Sequence, residues 1–139
     1  MPSRLNPYLS FKDNARTAMD FYKSVFKGDL VVTSFGEGGM SQDPAEKDLV
    51  MHSQLEAPSG YTLMAADTPK HMGTPRPNGS ISLSGDDEDT LKSYWKGLSQ
   101  GATIAMPLEK APWGDSFGML VDKFGVSWMV NIGAPRKPI

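Results

Sequence analysis

The sequence predicts an α+β fold made of two tandem copies of one βαβββ unit. Residues 6–30 align with residues 78–103 at an offset of 72 or 73, and residues 52–67 align with residues 117–132 at an offset of 65. Each copy shows a strand-like alternation, then a helical stripe, then three apolar runs. A unit that occurs twice predicts a paired architecture, with a site between the copies.

The length of the chain limits this architecture to one domain. With 139 residues, of which 39% are hydrophobic, the chain is long enough for one buried core and too short for two ordinary domains. We therefore expect a single domain over residues 1–139. Its modules span about residues 4–67 and 78–132, and the proline- and glycine-containing residues 68–77 link them.

The charge, cysteine content and apolar runs of the chain limit which partners and which cellular compartment are expected. The net charge is -2 with both signs interspersed, so we expect neither nucleic acid nor a membrane as partner. The absence of cysteine excludes disulfides, thiol catalysis and cysteine-ligated metals. No apolar run reaches 18 residues, and the amino terminus lacks the apolar stretch of a signal peptide. We expect a soluble, cytoplasmic protein.

In the first copy, Leu9 and Phe11 alternate with polar residues as in a half-buried strand. Asp13 or Asn14 is expected to cap the following helix, and Gly28 to end it. The apolar stripe of this helix consists of Ala15, Ala18, Met19, Tyr22, Val25 and Phe26. Three further apolar runs are predicted to be strands: 29–35, 48–56 and 61–66.

The second copy repeats this order, with Ile81 aligned to Leu9 and Leu83 aligned to Phe11. Asp86 or Asp87 is expected to cap its helix, which stops before Gly101. The apolar stripe of the second helix consists of Leu91, Tyr94, Trp95 and Leu98. The predicted strands that follow are 102–106, 116–122 and 126–132.

Two loops stand at matching places in the copies. Residues 36–47 are rich in glycine and polar side chains, which indicates a mobile loop and a candidate lid. Residues 107–115 form the corresponding loop of the second copy and contain Trp113. We expect Trp113 to cover the mouth of a cavity or to lie at a subunit contact, because a large apolar ring gains by being covered. Asp115 is expected to turn or cap the chain, or to orient a ligand.

Three segments resemble a known family: NPYLSF at residues 6–11, DFYKSVFKG at residues 20–28, and WGDSFGMLVDKFGVSWMVN at residues 113–131. They are similar to the PhnB-like branch of the vicinal oxygen chelate superfamily, which also holds glyoxalase I, bleomycin resistance proteins and extradiol dioxygenases. The resemblance implies mixed sheets that curl into a U-shaped cavity, often shared with a second subunit, and hence a homodimer. It implies no specific activity, because PhnB-like proteins have no settled one.

The superfamily's enzymes hold a divalent metal through His and Glu side chains at symmetric places in the repeat. By resemblance, the histidine places are occupied here by Asn6, or by Pro7 if one gap is set differently, and by a residue in the range from Asn78 to Ser80. The carboxylate places are occupied by Met64 and Met129. Amide and thioether groups replace imidazole and carboxylate poorly around a hard or borderline cation. We therefore expect no metal and no other cofactor. The alternative is a metal site with unusual ligands, such as His52 with a carboxylate from the lid or from a second subunit.

His52 is the only candidate general base. Period two places His52, Gln54 and Glu56 on one face of their strand, with His52 and Glu56 about 13 Å apart, too far to share one ion. His52 either hydrogen-bonds within the sheet or lines the cavity as a hydrogen-bond partner or base. The other histidine, His71, lies in the linker, where a solvated role is expected.

Period two and the resemblance together predict an apolar cavity lining with a few polar groups. The predicted lining residues are Tyr8, Ser10, His52, Gln54, Met64, Ser82, Trp113, Met129 and Asn131. Methionine-rich linings adapt to different guests, which favours binding over catalysis. The same side chains could instead fill a dimer core.

These observations favour a small-molecule binding protein or a metal-independent enzyme whose substrate the sequence does not name. One alternative is a metal-dependent lyase, isomerase or dioxygenase with unusual ligands. Another is a dimeric interaction module that binds no ligand. Metal analysis and ligand-dependent stabilisation separate the three classes.

Overall fold

The computed structural model describes residues 3–39 and 43–134. The chain divides into two compact units, Met1–Pro77 and Asn78–Ile139, referred to here as module 1 and module 2. Each unit holds one α-helix and one four-stranded mixed sheet. The prediction of an α+β fold with two βαβββ modules is confirmed. Within the described part of the chain, no helix is long and apolar enough to cross a membrane.

Module 1 follows the predicted order. Its elements are β1 Tyr8–Phe11, α1 Ala15–Phe26, β2 Asp29–Ser34, β3 Val50–Glu56 and β4 Thr62–Asp67. The strands lie in the order β1-β4-β3-β2, with β1 parallel to β4 and the other neighbours antiparallel. Single turns of 3-10 helix occur at Pro44–Glu46, in the predicted lid, and at Lys70–Met72, in the linker.

Module 2 repeats this topology. Its elements are β5 Ile81–Gly85, α2 Glu88–Leu98, β6 Thr103–Lys110, β7 Ser116–Val121 and β8 Ser127–Ile132. The strands lie in the order β5-β8-β7-β6, and β5 is parallel to β8. Strand β6 is an edge strand whose pairing with β7 is interrupted twice, between Ile104 and Met106 and between Met106 and Glu109.

The prediction of a loop over residues 107–115 is partly wrong. Strand β6 continues through Pro107 to Lys110, so only residues 111–115 form the turn. Residues 107–110 are mostly exposed and include two charged side chains, so they lack the apolar run by which a strand is recognised, and the sequence predicts a strand end at residue 106. Of the predicted lid, residues 40–42 lie outside the described residues.

Helix α1 packs its apolar stripe on the sheet of module 1. All six predicted stripe residues are buried, and on β1 the side chains of Leu9 and Phe11 are buried as well. Full burial of an aliphatic or aromatic side chain contributes about 1.5–3 kcal/mol, so this layer stabilises the module. In module 2, Leu91, Tyr94 and Leu98 of α2 are buried in the corresponding positions.

The amino-terminal cap of α1 differs from the prediction. Asn14 occupies the cap position but makes no side-chain capping bond, and Asp13 is exposed. Instead Asp67, at the end of β4, accepts hydrogen bonds from the backbone amides of Ala15 at 2.9 Å and Val50 at 2.8 Å. In α2 the predicted cap is confirmed, because the Asp87 carboxylate accepts bonds from the amide and hydroxyl of Thr90.

Helix α1 ends where the sequence predicts. Phe26 is its last residue, Lys27 has a φ of 65°, and Gly28 has a φ of 101°. A Cβ atom at position 28 would overlap the carbonyl oxygen of Glu56. Glycine is therefore required at position 28 both for its φ angle and for the close approach of the β3 end.

The most specific sequence motif of module 2 has a structural cause. Asp122, buried in the turn between β7 and β8, accepts hydrogen bonds from the amides of Phe124 and Val126 and from the indole of Trp128 at 2.9 Å. In the same sheet Gly118 allows Trp95 of α2 to approach closely, because a Cβ there would lie 2.7 Å from the indole ring. The motif is thus explained by packing and by a turn.

Candidate functional site

Five predicted site residues share one face of the module 1 sheet. The far face of each module is defined here as the face of its sheet turned away from its helix. Strand register places Tyr8 beside Met64 and Met64 beside Gln54. The next positions on the same face are Ser10 on β1 and His52 on β3. The structure therefore brings Tyr8, Ser10, His52, Gln54 and Met64 to the far face of module 1, because side chains alternate along each strand.

The side chains of Tyr8 and His52 form a polar pair on this face. The Tyr8 Oη lies 3.2 Å from His52 Nδ1, and the ring centroids are 5.8 Å apart. Burial raises the pKa of the Tyr8 phenol, although the residue is half exposed. The phenol is therefore neutral at physiological pH and can donate its proton to Nδ1. His52 then carries its own proton on Nε2; in the other tautomer Nδ1 donates to Tyr8 and Nε2 is a free base.

A second polar group lies at the end of the same face. The Arg4 guanidinium contacts both carboxylate oxygens of Glu56, at 3.2 and 3.3 Å, and donates to Thr62 Oγ1 at 2.9 Å. Thr62 and Gln54 also donate to Glu56. Hydrogen bonds from Thr62, Arg4 and Gln54 lower the pKa of Glu56 to about 2. Glu56 is therefore a fully ionised, paired carboxylate at neutral pH, with no proton to offer as an acid.

Sequence reasoning missed Arg4. This residue precedes the first strand, where no periodic pattern assigns it to a face, and its partner Glu56 lies 52 residues away. Only the pairing of β1 with β4 brings the amino-terminal segment to this place, so no local signal could have identified the ion pair.

The far face of module 2 is mainly apolar. Ser82 lies beside Met129, Met129 beside Met119, and Met119 beside Met106, so three methionines stand in register on neighbouring strands. Sequence analysis identified Ser82 and Met129 but missed Met106 and Met119, because residues on different strands align only once the register is known. Thioether side chains repack readily and make an adaptable apolar surface.

The next row of this face holds Asn131 beside Phe117. Asn131 Nδ2 donates to a carboxylate oxygen of Asp115 at 3.0 Å, and the rings of Trp113 and Phe117 meet edge to face with centroids 5.7 Å apart. Asp115 thus positions the side chain of Asn131. Trp113 remains 61% exposed in the turn after β6.

Comparison with known proteins identifies the family. Residues 3–131 match the family model described as 3-demethylubiquinone-9 3-methyltransferase. The chain belongs to this PhnB-like family. It is similar to protein PA1353 from Pseudomonas aeruginosa, with 36% identity, a TM-score of 0.80, and coverage of 96% of this chain and 99% of the other. The predicted PhnB-like resemblance is thereby confirmed.

Two further structures agree with this assignment. A PhnB protein from Bacillus cereus, named for the same methyltransferase, is 28% identical, covers 94% of this chain and 100% of its own, and superposes with a TM-score of 0.73. A glyoxylase/bleomycin resistance protein/dioxygenase domain from Frankia sp. EAN1pec covers 100% of this chain and 96% of its own, with 14% identity and a TM-score of 0.65. This last likeness shows that the PhnB-like chain has the glyoxalase fold.

The places that the resemblance assigns to the superfamily's metal ligands hold a poor donor set for a divalent metal in this PhnB-like chain. By the resemblance, Met64 and Met129 stand where the metal enzymes have carboxylates, and a thioether is a poor ligand for a hard cation. Within residues 3–39 and 43–134, no group of three or more His, Cys, Asp or Glu side chains is placed to hold a metal ion. The donor set at these positions thus differs from that of the metal enzymes.

Strand register also refines which residues correspond in the two copies. Met64 and Met129 are equivalent, and their neighbours on the first strands are Tyr8 and Ser82, an offset of 74. The repeat alignment used an offset of 72 for these strands. By register the counterpart of Asn6 is therefore Ser80 and not Asn78, and a serine hydroxyl is likewise no substitute for imidazole.

Proposed function

We propose that this PhnB-like protein binds a small organic molecule on the far face of module 1, without a divalent metal. The observation that carries the proposal is the contact of 3.2 Å between Tyr8 Oη and His52 Nδ1. This pair offers a hydrogen-bond donor or acceptor to a ligand beside the thioether of Met64 and the amide of Gln54. Such a mixture of apolar surface and few polar groups is typical of small-molecule sites.

The electrostatics of the face indicate which group of the ligand it meets. Glu56 is already satisfied by Arg4, Thr62 and Gln54, so it adds no unpaired charge for a cation to neutralise. The neutral Tyr8 phenol and the imidazole suit a hydroxyl, carbonyl or enol oxygen. A ligand that carries such an oxygen and an apolar body is therefore proposed.

A second candidate is methyl transfer, which the family description names. Methylation of a quinol hydroxyl forms an O–CH3 bond while a sulfonium donor loses that methyl group and becomes a thioether. The hydroxyl proton must be taken up, and His52 is the base that this face supplies. The pairing of His52 with Tyr8 favours this candidate because it fixes the ring for proton transfer.

The assembly is also part of the proposal. Val31, on edge strand β2, is a large apolar side chain that is 66% exposed. We propose a homodimer in the cytoplasm in which a second copy covers such apolar surface. Size-exclusion chromatography with light scattering tests this part, because a mass of one chain would exclude it.

Thermal-shift screening with matched variants tests the binding proposal. The panel contains phenols, quinols, enolisable ketones and S-adenosylmethionine, and metal content is measured on protein purified without chelator. A compound that stabilises the wild type should bind at least tenfold more weakly to Tyr8→Phe and His52→Ala. The control is His71→Ala, which removes an exposed linker histidine and should leave the affinity unchanged.

Two outcomes would contradict the proposal. If no compound raises the melting temperature, the protein does not bind the classes of ligand in the panel. The alternative of a dimeric interaction module without a ligand is then favoured. If the purified protein holds a stoichiometric divalent metal that is lost in His52→Ala, the metal-enzyme alternative is correct. Methyl transfer is supported instead if S-adenosylmethionine stabilises the protein and a quinol is methylated in a His52-dependent manner.

A further inference from the structure

An exposed aromatic pair stands at the edge of the module 2 sheet. Trp113 is 61% exposed, and its indole meets the ring of Phe117 edge to face at 5.7 Å between centroids. An indole that is mostly uncovered loses the benefit of burying its large apolar area. Phe117 fixes the indole without hiding it, so a planar face remains for another molecule.

A positioned hydrogen-bond acceptor lies next to this pair. Asn131 is the cross-strand partner of Phe117, and side chains of such partners stand about 5 Å apart on the same face. The amide Nδ2 of Asn131 donates to Asp115 at 3.0 Å. This bond orients the amide, so its Oδ1 is the atom presented as an acceptor.

The charged side chains around the aromatic pair disfavour an anionic ligand. Glu109 stands on the other side of Phe117 in the same row, and Asp115 flanks Asn131, so the ionisable side chains identified on this side of the sheet are acidic. Lys110 pairs with Ser116 at the next position and lies on the opposite face. Glu109 and Asp115 disfavour an anion. The row of Met106, Met119 and Met129 adjoins these residues and gives an apolar floor that contacts aromatic rings favourably.

We propose that the far face of module 2 is a binding subsite for a neutral or cationic aromatic ring that carries a hydroxyl or amine donor. The ring lies against Trp113 and the methionine row, and its donor binds Asn131 Oδ1. Asp115 acts as a positioning residue, because it holds the amide in the accepting orientation. The inference goes beyond the proposed function, because it assigns a second binding site that lies on module 2 alone and names the chemical class of its ligand.

The experiment uses 1-naphthol as the probe and follows binding by 15N-edited NMR. The indole Nε1 signal of Trp113 and the side-chain amide signals of Asn131 should shift together during the titration. Replacing the hydroxyl by a methoxy group should weaken binding at least fivefold, since the donor is lost. The anionic 1-naphthoate should also bind at least fivefold more weakly than 1-naphthol.

Variants separate stacking from positioning. Trp113→Ala should weaken 1-naphthol binding at least tenfold, whereas Met72→Ala, which removes an exposed apolar side chain in the linker, should not. In Asp115→Ala the amide of Asn131 is free to turn, so the preference for hydroxyl over methoxy should fall towards one. A purely structural role of Asp115 would weaken both probes equally and would contradict the positioning role.

The outcomes also distinguish this inference from the proposed function. Loss of 1-naphthol binding in Trp113→Ala with retention in His52→Ala supports a subsite that belongs to module 2. Unchanged affinity in Trp113→Ala, or shifts confined to Tyr8 and His52, would overturn the subsite while leaving the proposed function standing. Self-association that is lost in Trp113→Ala, without any response to the probe, would show that a second copy covers this surface.

Discussion

Asp67 Oδ1 accepts a hydrogen bond of 2.9 Å from the backbone amide of Ala15 and so joins the end of β4 to the start of α1. Its other oxygen accepts from the amide of Val50 at the start of β3. One buried carboxylate thus satisfies two amides that belong to two different elements. The capping function is supplied from 52 residues away along the chain, and not by a residue next to the helix.

Replacing Asp67 with alanine should destabilise the protein by about 2–6 kcal/mol, because two buried amides lose their acceptor and each costs about 1–3 kcal/mol when unsatisfied. Urea unfolding followed by circular dichroism measures the change. The matched control is Asp13→Ala, which removes an exposed acid just before the same helix and should cost under about 0.5 kcal/mol. Equal costs for the two variants would show that Asp67 does not cap α1.

Gly28→Ala should destabilise more than Gly60→Ala. Both glycines have positive φ angles, of 101° and 92°, so both variants carry the backbone strain of about 1 kcal/mol. Only at position 28 does the new Cβ overlap a carbonyl oxygen, whereas nothing lies within 4 Å of it at position 60. We expect an additional cost of about 1–3 kcal/mol for Gly28→Ala, as is usual for overpacking. Thermal unfolding of both variants checks the difference, and equal melting temperatures would contradict the close approach.

The hydrogen bonds that Glu56 accepts from Thr62, Arg4 and Gln54 predict a particular dependence of stability on pH. Because the pKa of folded Glu56 is lowered to about 2, its contribution is fully present above the unfolded pKa of about 4.5 and is lost as pH falls through the folded value. The stability difference between wild type and Glu56→Gln should therefore shrink between about pH 4.5 and 2.

Arg4→Gln should raise the pKa of Glu56, measured by NMR of its carboxyl carbon. Arg16→Gln, on the exposed side of α1, is the control, and an equal response to both arginine variants would rule out the pair as the cause.

The Tyr8 phenol should ionise above the usual pKa of tyrosine, since burial disfavours its charged form. The absorbance change at about 295 nm during alkaline titration reports phenolate formation. Subtracting the curve of Tyr8→Phe from that of the wild type isolates Tyr8 from the other tyrosines. A difference curve with a midpoint at or below pH 10 would mean that the phenol is better solvated than the structure indicates.

The regular elements were predictable because their signals are local. The stripe from Ala15 to Phe26 and the alternation of Leu9 with Phe11 each depend on neighbours in sequence, and both match the structure. The faces of the first strands were also predicted correctly, although the repeat alignment paired Leu9 with Ile81 where register pairs it with Leu83. The error was two residues, and an even shift along a strand leaves every side chain on the same face.

The contacts that define the sites were not predictable in this way. The Arg4–Glu56 pair, the Asp67 cap and the methionine row each depend on which strands are neighbours. The position of Asn131 illustrates the limit. Its face followed from the resemblance and from the alternation with Met129, but the bond to Asp115 that orients its amide required the geometry of the turn after β6. Local pattern gives the face of a residue, and only the folded chain gives its partner.

The interrupted pairing of β6 has a consequence for how the protein behaves at high concentration. This edge strand exposes Ile104 and Met106, and an exposed apolar edge strand can pair with a strand of another molecule. Pro107 lacks the amide that such an added strand would need, and the two register shifts bend the edge away from a flat template. The irregular second half of β6, which the sequence does not predict as strand, therefore also protects the protein against aggregation.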